Sequence, residues 1–352
     1  MVERYSTQLR AWSHVLQNRL ARKRGKVPLP RAAWLIPTWY CDLACITCGV
    51  WRRPRESTDL SPAQWRTVMA KLKFLDVVKL LGGEPFTRED LPDIGLAVQE
   101  IIRPFVFHVV TAGKETARIL EFAARVGAPN LHLRVSMDGL GEVHEHLRGT
   151  PGLHAATRAT LEGLLPLRDR LGFHIGVNVA VHDQTLPHLA ELAEFCHTRH
   201  ISIIPGLAIT PFLEDRDPAL SPPRVLMASD PQAVRRALNE LTRGGQGGYR
   251  WLERLGLKSM NDKIFDEMLA GNSATVHGPR CEALRSSMYV LPDGGVAACG
   301  LKHGSVGNLL THSFDEVWHG EAASRSRQEV AACVGCLQHS ESVFSWMYGG
   351  AR

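Results

Sequence analysis

The chain carries a group of three cysteines, Cys41, Cys45 and Cys48, within the segment WYCDLACITCGVW. Thiols spaced by three and two residues can converge from one loop on one inorganic centre. A structural zinc ion or a fully ligated [4Fe–4S] cluster takes four protein ligands, so three thiols leave one iron of such a cluster open to another ligand. The alternatives are a zinc site completed by a distant residue, and cysteines that are simply buried.

A second cysteine group near the C-terminus has the four members of a closed site: Cys281, Cys299, Cys333 and Cys336. The first two are separated by 17 residues across a predicted hairpin, and the last two form a Cys-x2-Cys pair. Taken alone, this spacing fits a zinc ribbon nearly as well as an iron–sulfur cluster. The eighth cysteine, Cys196, lies in a helical pattern and is predicted to be a buried small hydrophobe.

The composition excludes several classes of protein. Of the 352 residues, 44% are hydrophobic and 22% are charged, which is typical of folded globular proteins and argues against disordered, collagenous and coiled-coil chains. A net charge of +5 does not indicate a nucleic-acid-binding surface. The sequence has no long apolar run and no secretory signal, so we expect a cytoplasmic protein whose reduced cysteines bind metal.

The elements that position these cysteines are short apolar strands alternating with amphipathic helices between residues 31 and 207. The predicted strands cover residues 33–39, 77–81, 106–111, 131–137, 174–181 and 201–207. This pattern predicts an α/β fold, a partial (β/α)6 barrel related to the TIM barrel, with the loops after the strands on one open face. Ser61 before Pro62 predicts a helix start, with serine as the N-cap.

Three further segments flank this core. Residues 1–30 contain a basic amphipathic helix, for which we favour capping of the next domain over contact with a membrane surface. Residues 208–276 are rich in proline and glycine and predict a connector with helices that could act as a lid. Residues 277–352 predict a small α+β module with few apolar residues, which a metal clamp would stabilise.

The segment CDLACITC after the first predicted strand, followed by LGGEP after the second, resembles the radical S-adenosylmethionine (SAM) enzyme family. The resemblance covers most of the chain and implies that Cys41, Cys45 and Cys48 hold a [4Fe–4S] cluster. The fourth iron of that cluster would chelate the amino and carboxylate groups of SAM. The residues that match the family's glycine-rich stretch beside the SAM ammonium are Gly82, Gly83, Glu84 and Pro85.

Later segments also resemble the family's SAM-binding motifs. Thr111 ends the third strand in a Thr-x-Gly turn. The segment VSMDGLGEVHEHLRG after the fourth strand resembles a Ser-x-Asp-Gly motif followed by His-x3-Arg-Gly. The resemblance implies ribose contacts for Ser136 and Asp138, and a bidentate contact between Arg148 and the SAM carboxylate. A surface ion pair with Glu142 or Glu145 is the alternative for Arg148.

Two details of the SAM site depend on position alone or depart from the family pattern. The backbone near Asn178 and Val179 on the fifth strand is predicted to face the adenine. Thr47 stands before the third cysteine, where the family usually has an aromatic or bulky residue. The resemblance therefore implies no contact for Thr47.

The second cysteine group resembles the C-terminal SPASM/Twitch extension of radical SAM enzymes, in which Cys-x(9–15)-Gly-x4-Cys leads into Cys-x2-Cys. Gly294 stands at the matching glycine. Ser342 occupies the place of the next cysteine, and none follows it. The resemblance therefore implies one auxiliary [4Fe–4S] cluster, the Twitch arrangement, with spacing like that of 2-deoxy-scyllo-inosamine dehydrogenases.

These parts predict a radical SAM oxidoreductase. A flavodoxin or ferredoxin would reduce the first cluster, SAM would yield a 5′-deoxyadenosyl radical, and this radical would remove a hydrogen from the substrate. The auxiliary cluster would accept an electron, because a substrate radical needs an acceptor to become a closed-shell product. A purely structural role is the alternative for that cluster. His108 and His182, near strand ends, are weak candidates for a general base.

The leading prediction for the substrate is a small polar molecule such as a sugar or aminocyclitol. A peptide-modifying enzyme that forms a thioether or carbon–carbon crosslink is the second prediction. Only about 30 residues precede the barrel, too few for a leader-peptide domain, which weighs against the second prediction. A non-catalytic scaffold with two zinc sites would leave the GGEP motif and the Ser136 to Arg148 segment without a role.

Overall fold

The structure is a computed structural model. It describes residues 2–46, 48–52, 58–207, 209–210, 224–225, 230–242, 281, 283–299 and 304–331. Cys333, Cys336 and most of the predicted connector lie outside these described residues. Within the described part of the chain, no helix is long and apolar enough to cross a membrane.

A parallel sheet forms the centre of the fold. Its first six strands are β1 (Ala32–Leu35), β2 (Val77–Leu80), β3 (Val106–Thr111), β4 (Leu131–Ser136), β5 (His174–Val181) and β6 (Ser202–Leu207). Each strand pairs in parallel with the next in chain order, as in a (β/α) barrel. All six predicted strands are confirmed. The first ends before Pro37, which lacks the N–H group that a strand ladder needs.

Helices cover the outer face of this sheet. They are α2 (Pro62–Ala70), α3 (Leu91–Ala97), α4 (Thr116–Val126), α6 (Leu153–Leu171) and α7 (Leu189–His197), while α1 (Val2–Lys23) and α5 (Glu142–Arg148) lie at the two ends of the sheet. A π-helical turn, Val98–Ile102, continues α3. The predicted start of α2 is confirmed, because Ser61 and Gln64 form a reciprocal capping box. Outward strand residues such as Val109 and Leu133 are fully buried against these helices.

The amphipathic helix predicted at the N-terminus is confirmed as α1. His14 Nδ1 lies 2.8 Å from both carboxylate oxygens of Asp76, the residue before β2. Asn18 donates a hydrogen bond of 3.1 Å to the Leu29 carbonyl. These contacts place α1 against the amino-terminal end of the sheet.

The predicted C-terminal hairpin is also confirmed, and it joins the central sheet. Strand β9 (Ser287–Val290) pairs in parallel with β1, and β10 (Val296–Ala297) pairs antiparallel with β9. The turn includes Gly294, whose φ of +84° suits glycine. The sequence predicted a separate module and did not indicate this pairing. Because all four residues of β9 are buried, the strand is suited to the interior of a sheet.

The remaining described elements lie after β6. They are the two-stranded ribbon β7 (Ile209–Thr210) and β8 (Arg224–Val225), and the helices α8 (Pro231–Thr242), α9 (Phe314–His319) and α10 (Glu321–Ala331). Helix α8 packs on α7 through buried residues such as Val234 and Leu238. In the other direction, α9 buries Trp318, whose indole donates to the Pro28 carbonyl ahead of β1. The elements after residue 280 therefore pack directly on the barrel.

Candidate active site

The loop after β1 brings the three thiols of the first cysteine group to the carboxyl edge of the sheet. Cys45 is buried, while Cys41 and Cys48 are half-buried. The thiols pack with Leu43 of their own loop and with Ala112, which directly follows β3. Loops after parallel strands meet at this edge, so the cysteines lie where barrel enzymes build their sites.

The donor set of this loop suits an iron–sulfur cluster. Cysteine thiolates are the protein ligands of such clusters, and each cysteine binds a different iron, so three thiols leave one iron for another ligand. Burial raises the pKa of Cys41 to about 12, and coordination to metal would supply the charge that keeps it deprotonated.

The C-terminal end of helix α5 packs against the loop that carries Cys41, Cys45 and Cys48. The Ile46 N–H donates to the Leu147 carbonyl at 3.0 Å. Gly149, which ends α5 with a φ of +60°, approaches so closely that a Cβ atom there would lie 2.1 Å from the Ala44 carbonyl oxygen. The α5 terminus therefore sets the height of the cluster loop above the sheet.

The glycine-rich stretch after β2 runs beside the same loop. The Gly83 N–H donates to the Thr38 carbonyl at 3.0 Å, and the Glu84 N–H donates to the Tyr40 carbonyl at 2.9 Å. A Cβ atom on Gly83 would lie 2.0 Å from the Tyr40 oxygen, so only glycine fits here. The predicted GGEP motif thus fixes the backbone that leads into Cys41.

Glu84 braces the ends of two neighbouring strands. Its buried carboxylate accepts hydrogen bonds from the Thr111 hydroxyl at 2.8 Å, the Ala112 N–H at 2.7 Å and the Phe86 N–H at 3.1 Å. Burial raises the pKa of Glu84 to about 7. These contacts give Glu84 and Thr111 a positioning role, while their contacts with SAM stay predictions. Pro85 begins a short 3-10 turn, Pro85–Thr87.

Asp138 and Arg148 form a pair at the end of β4. Arg148 Nε donates to Asp138 Oδ2 at 2.7 Å, and the Ala180 N–H donates to Asp138 Oδ1 at 2.9 Å. Although burial lowers the pKa of Arg148, the Asp138 carboxylate raises it above its usual range. Burial raises the pKa of the Cys45 thiol, and the positive charge of the Arg148 guanidinium partly offsets this rise. Arg148 therefore pairs with the buried Asp138 beside the cluster loop, in place of the surface pair with Glu142 or Glu145.

Two further side chains, for which the sequence predicted no role, form hydrogen bonds beside the Asp138–Arg148 pair. His144, fully buried, accepts the Asp138 N–H on Nδ1 at 3.2 Å. Burial lowers the pKa of His144 to about 4, which keeps it a neutral acceptor. Thr157 on α6 donates to the Ala112 carbonyl at 2.9 Å. His144 could have been found from the sequence, because it is the histidine of the His-x3-Arg-Gly motif. No motif marks Thr157.

The predicted ribose and adenine positions lie side by side on β4 and β5. Ser136 and Asn178 are direct partners in the parallel register. The Asn178 carbonyl already accepts the Met137 N–H at 2.9 Å, and the Val179 side chain is buried toward the helices. The structure thus brings Ser136, Asp138 and Asn178 together, and their contacts with SAM stay predictions.

Three other singled-out residues are buried elsewhere. Cys196 is fully buried in α7, as predicted, and burial raises its pKa to about 12. His182 follows β5, and His108 lies mid-strand on β3. Burial lowers the pKa of both histidines, so each is neutral at physiological pH. Their role as a base stays a prediction.

The described cysteines of the second group lie at the opposite end of the sheet. Cys281 precedes β9 and Cys299 follows β10, and the antiparallel pairing brings Cys299 back toward the start of β9. Cys299 packs beside Trp34 and Tyr289, whose rings stack at 5.1 Å. Because β9 runs parallel to β1, this is the amino-terminal end of the strands, away from the first cysteine group.

A partial barrel with a three-thiol loop after its first strand and a glycine-rich turn after its second defines an iron–sulfur enzyme class that uses SAM. Comparison of the chain with known protein families agrees with this class. A family model described as the radical SAM superfamily matches residues 35–196, and a SPASM iron–sulfur cluster-binding domain model matches residues 281–337. The chain therefore belongs to the radical SAM superfamily and carries a C-terminal SPASM domain.

Similar proteins cover most of the chain. Mycofactocin maturase MftC of Mycobacterium tuberculosis (strain CDC 1551 / Oshkosh) is 28% identical over 317 residues, which are 85% of this chain and 73% of that protein. SuiB of Streptococcus suis bound to S-adenosylmethionine has a TM-score of 0.62 at 15% identity, covering 88% of this chain and 70% of that one. A structure of anSMEcpe with AdoMet and a Cp18Cys peptide has a TM-score of 0.56 at 15% identity, covering 84% and 82%. The two structures confirm the fold.

The cofactors of these domains are SAM and a [4Fe–4S] cluster in the barrel, and auxiliary iron–sulfur in the SPASM domain. When bound, the barrel cluster and SAM together supply a 5′-deoxyadenosyl radical. Cys41, Cys45 and Cys48 are the residues of this chain that would hold the first cluster. Cys281 and Cys299, with Cys333 and Cys336, would hold the auxiliary one.

Proposed function

We propose that this protein is a peptide-modifying radical SAM enzyme, which removes a hydrogen atom from a residue of a peptide substrate and forms a new bond there by oxidation. The observation that carries the proposal is the similarity to a mycofactocin maturase along 85% of the chain. This similarity favours the second of the two predicted substrate classes over the sugar or aminocyclitol.

The chemistry of an oxidation defines what the two ends of the barrel would do. Loss of a hydrogen atom to the 5′-deoxyadenosyl radical leaves a carbon radical on the peptide and yields 5′-deoxyadenosine. Closure of this radical into a crosslink or a double bond releases one further electron and one proton. An auxiliary cluster held by Cys281, Cys299, Cys333 and Cys336 would supply the acceptor for this electron, and a flavodoxin or ferredoxin would supply the electron that reduces the first cluster.

The positions of the two cysteine groups support these separate roles for the two ends of the barrel. The substrate would lie in the lumen of the barrel, between the thiols after β1 and the thiols that flank the β9–β10 hairpin. A four-residue strand spans about 13 Å, which leaves room for a side chain or a peptide terminus between the two ends. Ser136 and Asn178 line the end of the lumen nearest to the predicted SAM site.

The test uses full-length protein reconstituted anaerobically with iron and sulfide, together with SAM and dithionite. One set of reactions contains synthetic peptides corresponding to short reading frames beside its gene, and a second set contains sugars and aminocyclitols. We expect 5′-deoxyadenosine to form and a peptide to lose two hydrogens by mass spectrometry. The Cys45→Ala variant, lacking one ligand of the first cluster, is the inactive control.

Each outcome decides between the substrate classes. A peptide that loses two hydrogens with wild type and not with Cys45→Ala supports the proposal. Oxidation of a sugar or aminocyclitol, with every peptide unchanged, refutes it and restores the small-molecule prediction. A peptide whose mass changes without loss of hydrogens supports peptide modification and refutes the oxidation.

A further inference from the structure

Four basic side chains cross the inner face of the sheet at one level, and a fifth lies one inward position further along β4. In the parallel register, Lys79 of β2 pairs with His108 of β3, His108 with His132 of β4, and His132 with His174 of β5. The ring centroids of the neighbouring histidines lie 5.0 Å and 4.5 Å apart. Arg134, two residues beyond His132, places Nη2 3.4 Å from His108 Nε2. We call these five residues the basic row.

The basic row faces the lumen. On the same strands, the alternate residues such as Leu80, Val109 and Leu133 are fully buried among the helices, so the members of the row point the other way. None of the inward positions on the described strands β1 to β6, β9 and β10 carries an aspartate or glutamate. The side chains on these positions that carry charge are therefore all basic.

The row is suited to hold a negative charge. Burial, together with Arg134 and His174, lowers the pKa of His132 to about 2, so this imidazole is neutral and can donate an N–H. Lys79 and Arg134 carry the positive charge. A guanidinium beside neutral imidazole donors matches the two oxygens of a carboxylate, and charge-assisted hydrogen bonds of this kind are strong away from bulk water.

The position of Arg134 along its strand places the basic row next to the predicted SAM site. Arg134 stands one inward position below Ser136, and two residues along a strand correspond to about 7 Å. Ser136 lies at the predicted ribose position. An anchor at Arg134 would therefore hold a substrate with its neighbouring carbon atoms just below the place where the radical forms, which is what regioselective hydrogen removal requires.

We propose that the basic row is a substrate-anchoring site that binds a carboxylate group in the lumen, with Arg134 as its principal contact. The identity of the carboxylate rests on the proposed function: on a peptide it is the C-terminal carboxylate or an acidic side chain. The row thereby determines which carbon of the substrate faces the SAM site.

The test measures binding of a matched pair of probes, N-acetyl-L-alanine and N-acetyl-L-alaninamide, which differ only in carboxylate against carboxamide. Reconstituted full-length protein with SAM is titrated by calorimetry, at constant ionic strength. We expect the acid to bind at least about tenfold more tightly than the amide, from the charge-assisted contact. Equal affinity for acid and amide would overturn the proposal.

The variants locate the effect. Arg134→Met keeps an apolar side chain of similar length and removes the charge, so we expect the preference for the acid to disappear. Arg125→Met is the matched control, because Arg125 pairs with Asp93 on the outer surface and faces no lumen. A preference that survives in Arg134→Met, or vanishes equally in Arg125→Met, overturns the proposal. If Arg134→Met does not fold, Arg134→Gln, which is neutral and keeps polar atoms, takes its place with the same expectation.

The probes contain no peptide bond to a second residue, so failure of this inference and failure of the proposed function are distinguishable. If no peptide is modified but the acid is preferred, the anchoring site stands and serves a small carboxylate substrate. If peptides are modified and the acid is not preferred, the anchoring site is refuted and the peptide function stands. With a modified peptide in hand, amidation of its C-terminus, against Glu-to-Gln and Asp-to-Asn changes within it, distinguishes the two sources of carboxylate.

Discussion

Replacement of Gly149 by alanine should separate the cluster loop from the helix that supports it. A Cβ atom at this position would lie 2.1 Å from the Ala44 carbonyl oxygen, between Cys41 and Cys45. Carbon and oxygen atoms do not approach below about 3 Å, so one of the two backbones must move by about 1 Å. Iron–sulfur coordination tolerates shifts of only about 0.2 Å. We therefore expect Gly149→Ala to fold and to lose the first cluster.

The energetic cost has two parts that a second variant separates. Gly149 has a φ of +60°, which costs alanine about 1 kcal/mol. Gly152 has a φ of +76° and nothing within 4 Å of a Cβ atom, so Gly152→Ala carries the backbone cost alone. The clash in Gly149→Ala adds about 1–3 kcal/mol of overpacking. The free energy of unfolding should fall by about 1 kcal/mol in the control and by about 2–4 kcal/mol in Gly149→Ala.

The assays are urea denaturation, iron content after anaerobic reconstitution, and the yield of 5′-deoxyadenosine with SAM and dithionite. We expect Gly152→Ala to match wild type in iron and product, and Gly149→Ala to lose about four irons and nearly all product. If Gly149→Ala keeps the iron content and product yield of Gly152→Ala, then α5 does not set the position of the cluster loop, and the reasoning is wrong.

Three further predictions follow from other contacts. The double variant Cys281→Ala, Cys299→Ala should hold about four irons where wild type holds about eight, and about four in both proteins would remove the auxiliary cluster. His132 has a folded-state pKa of about 2, below its unfolded value, so unfolding becomes easier as pH falls below about 6.5, by up to about 1.4 kcal/mol per pH unit. Urea titrations at pH 7 and 5.5 should therefore show a weaker pH dependence in His132→Asn, and an unchanged dependence would contradict this reasoning. Asp138→Asn should lose about 2 kcal/mol of unfolding free energy, because Arg148 loses a buried charged partner, and SAM affinity measured by equilibrium dialysis should fall with it.

The features that the sequence predicts well are local. The six strands of the barrel follow from short apolar runs between amphipathic helices, and the start of α2 follows from Ser61 and Pro62. The thiol loop and the glycine-rich turn are each contiguous in sequence, so their spacing alone identifies them. Their proximity then follows from the rule that loops after parallel strands meet at one edge.

The features that the sequence did not predict depend on pairings between distant segments. The register of β9 against β1 joins residues about 250 positions apart, and no local pattern encodes it. The Asp138–Arg148 pair depends on how α5 folds back over the end of β4, which the sequence did not reveal. The histidines of the basic row looked unrelated in sequence because each lies on a different strand. Only the cross-strand register makes them neighbours.

The opposite placement of the two cysteine groups constrains how one substrate could use both. Transfer of a hydrogen atom requires direct contact, so the reacting carbon must face the end that carries Cys41, Cys45 and Cys48. Transfer of an electron tolerates a gap, so the acceptor can stand at the other end, where Cys299 packs against Trp34. A carboxylate held by Arg134 would lie between the two ends. An anchored substrate would therefore keep its reacting carbon at one end while an electron left toward the other. On this proposal, loss of the anchor should yield a mixture of products while 5′-deoxyadenosine still forms.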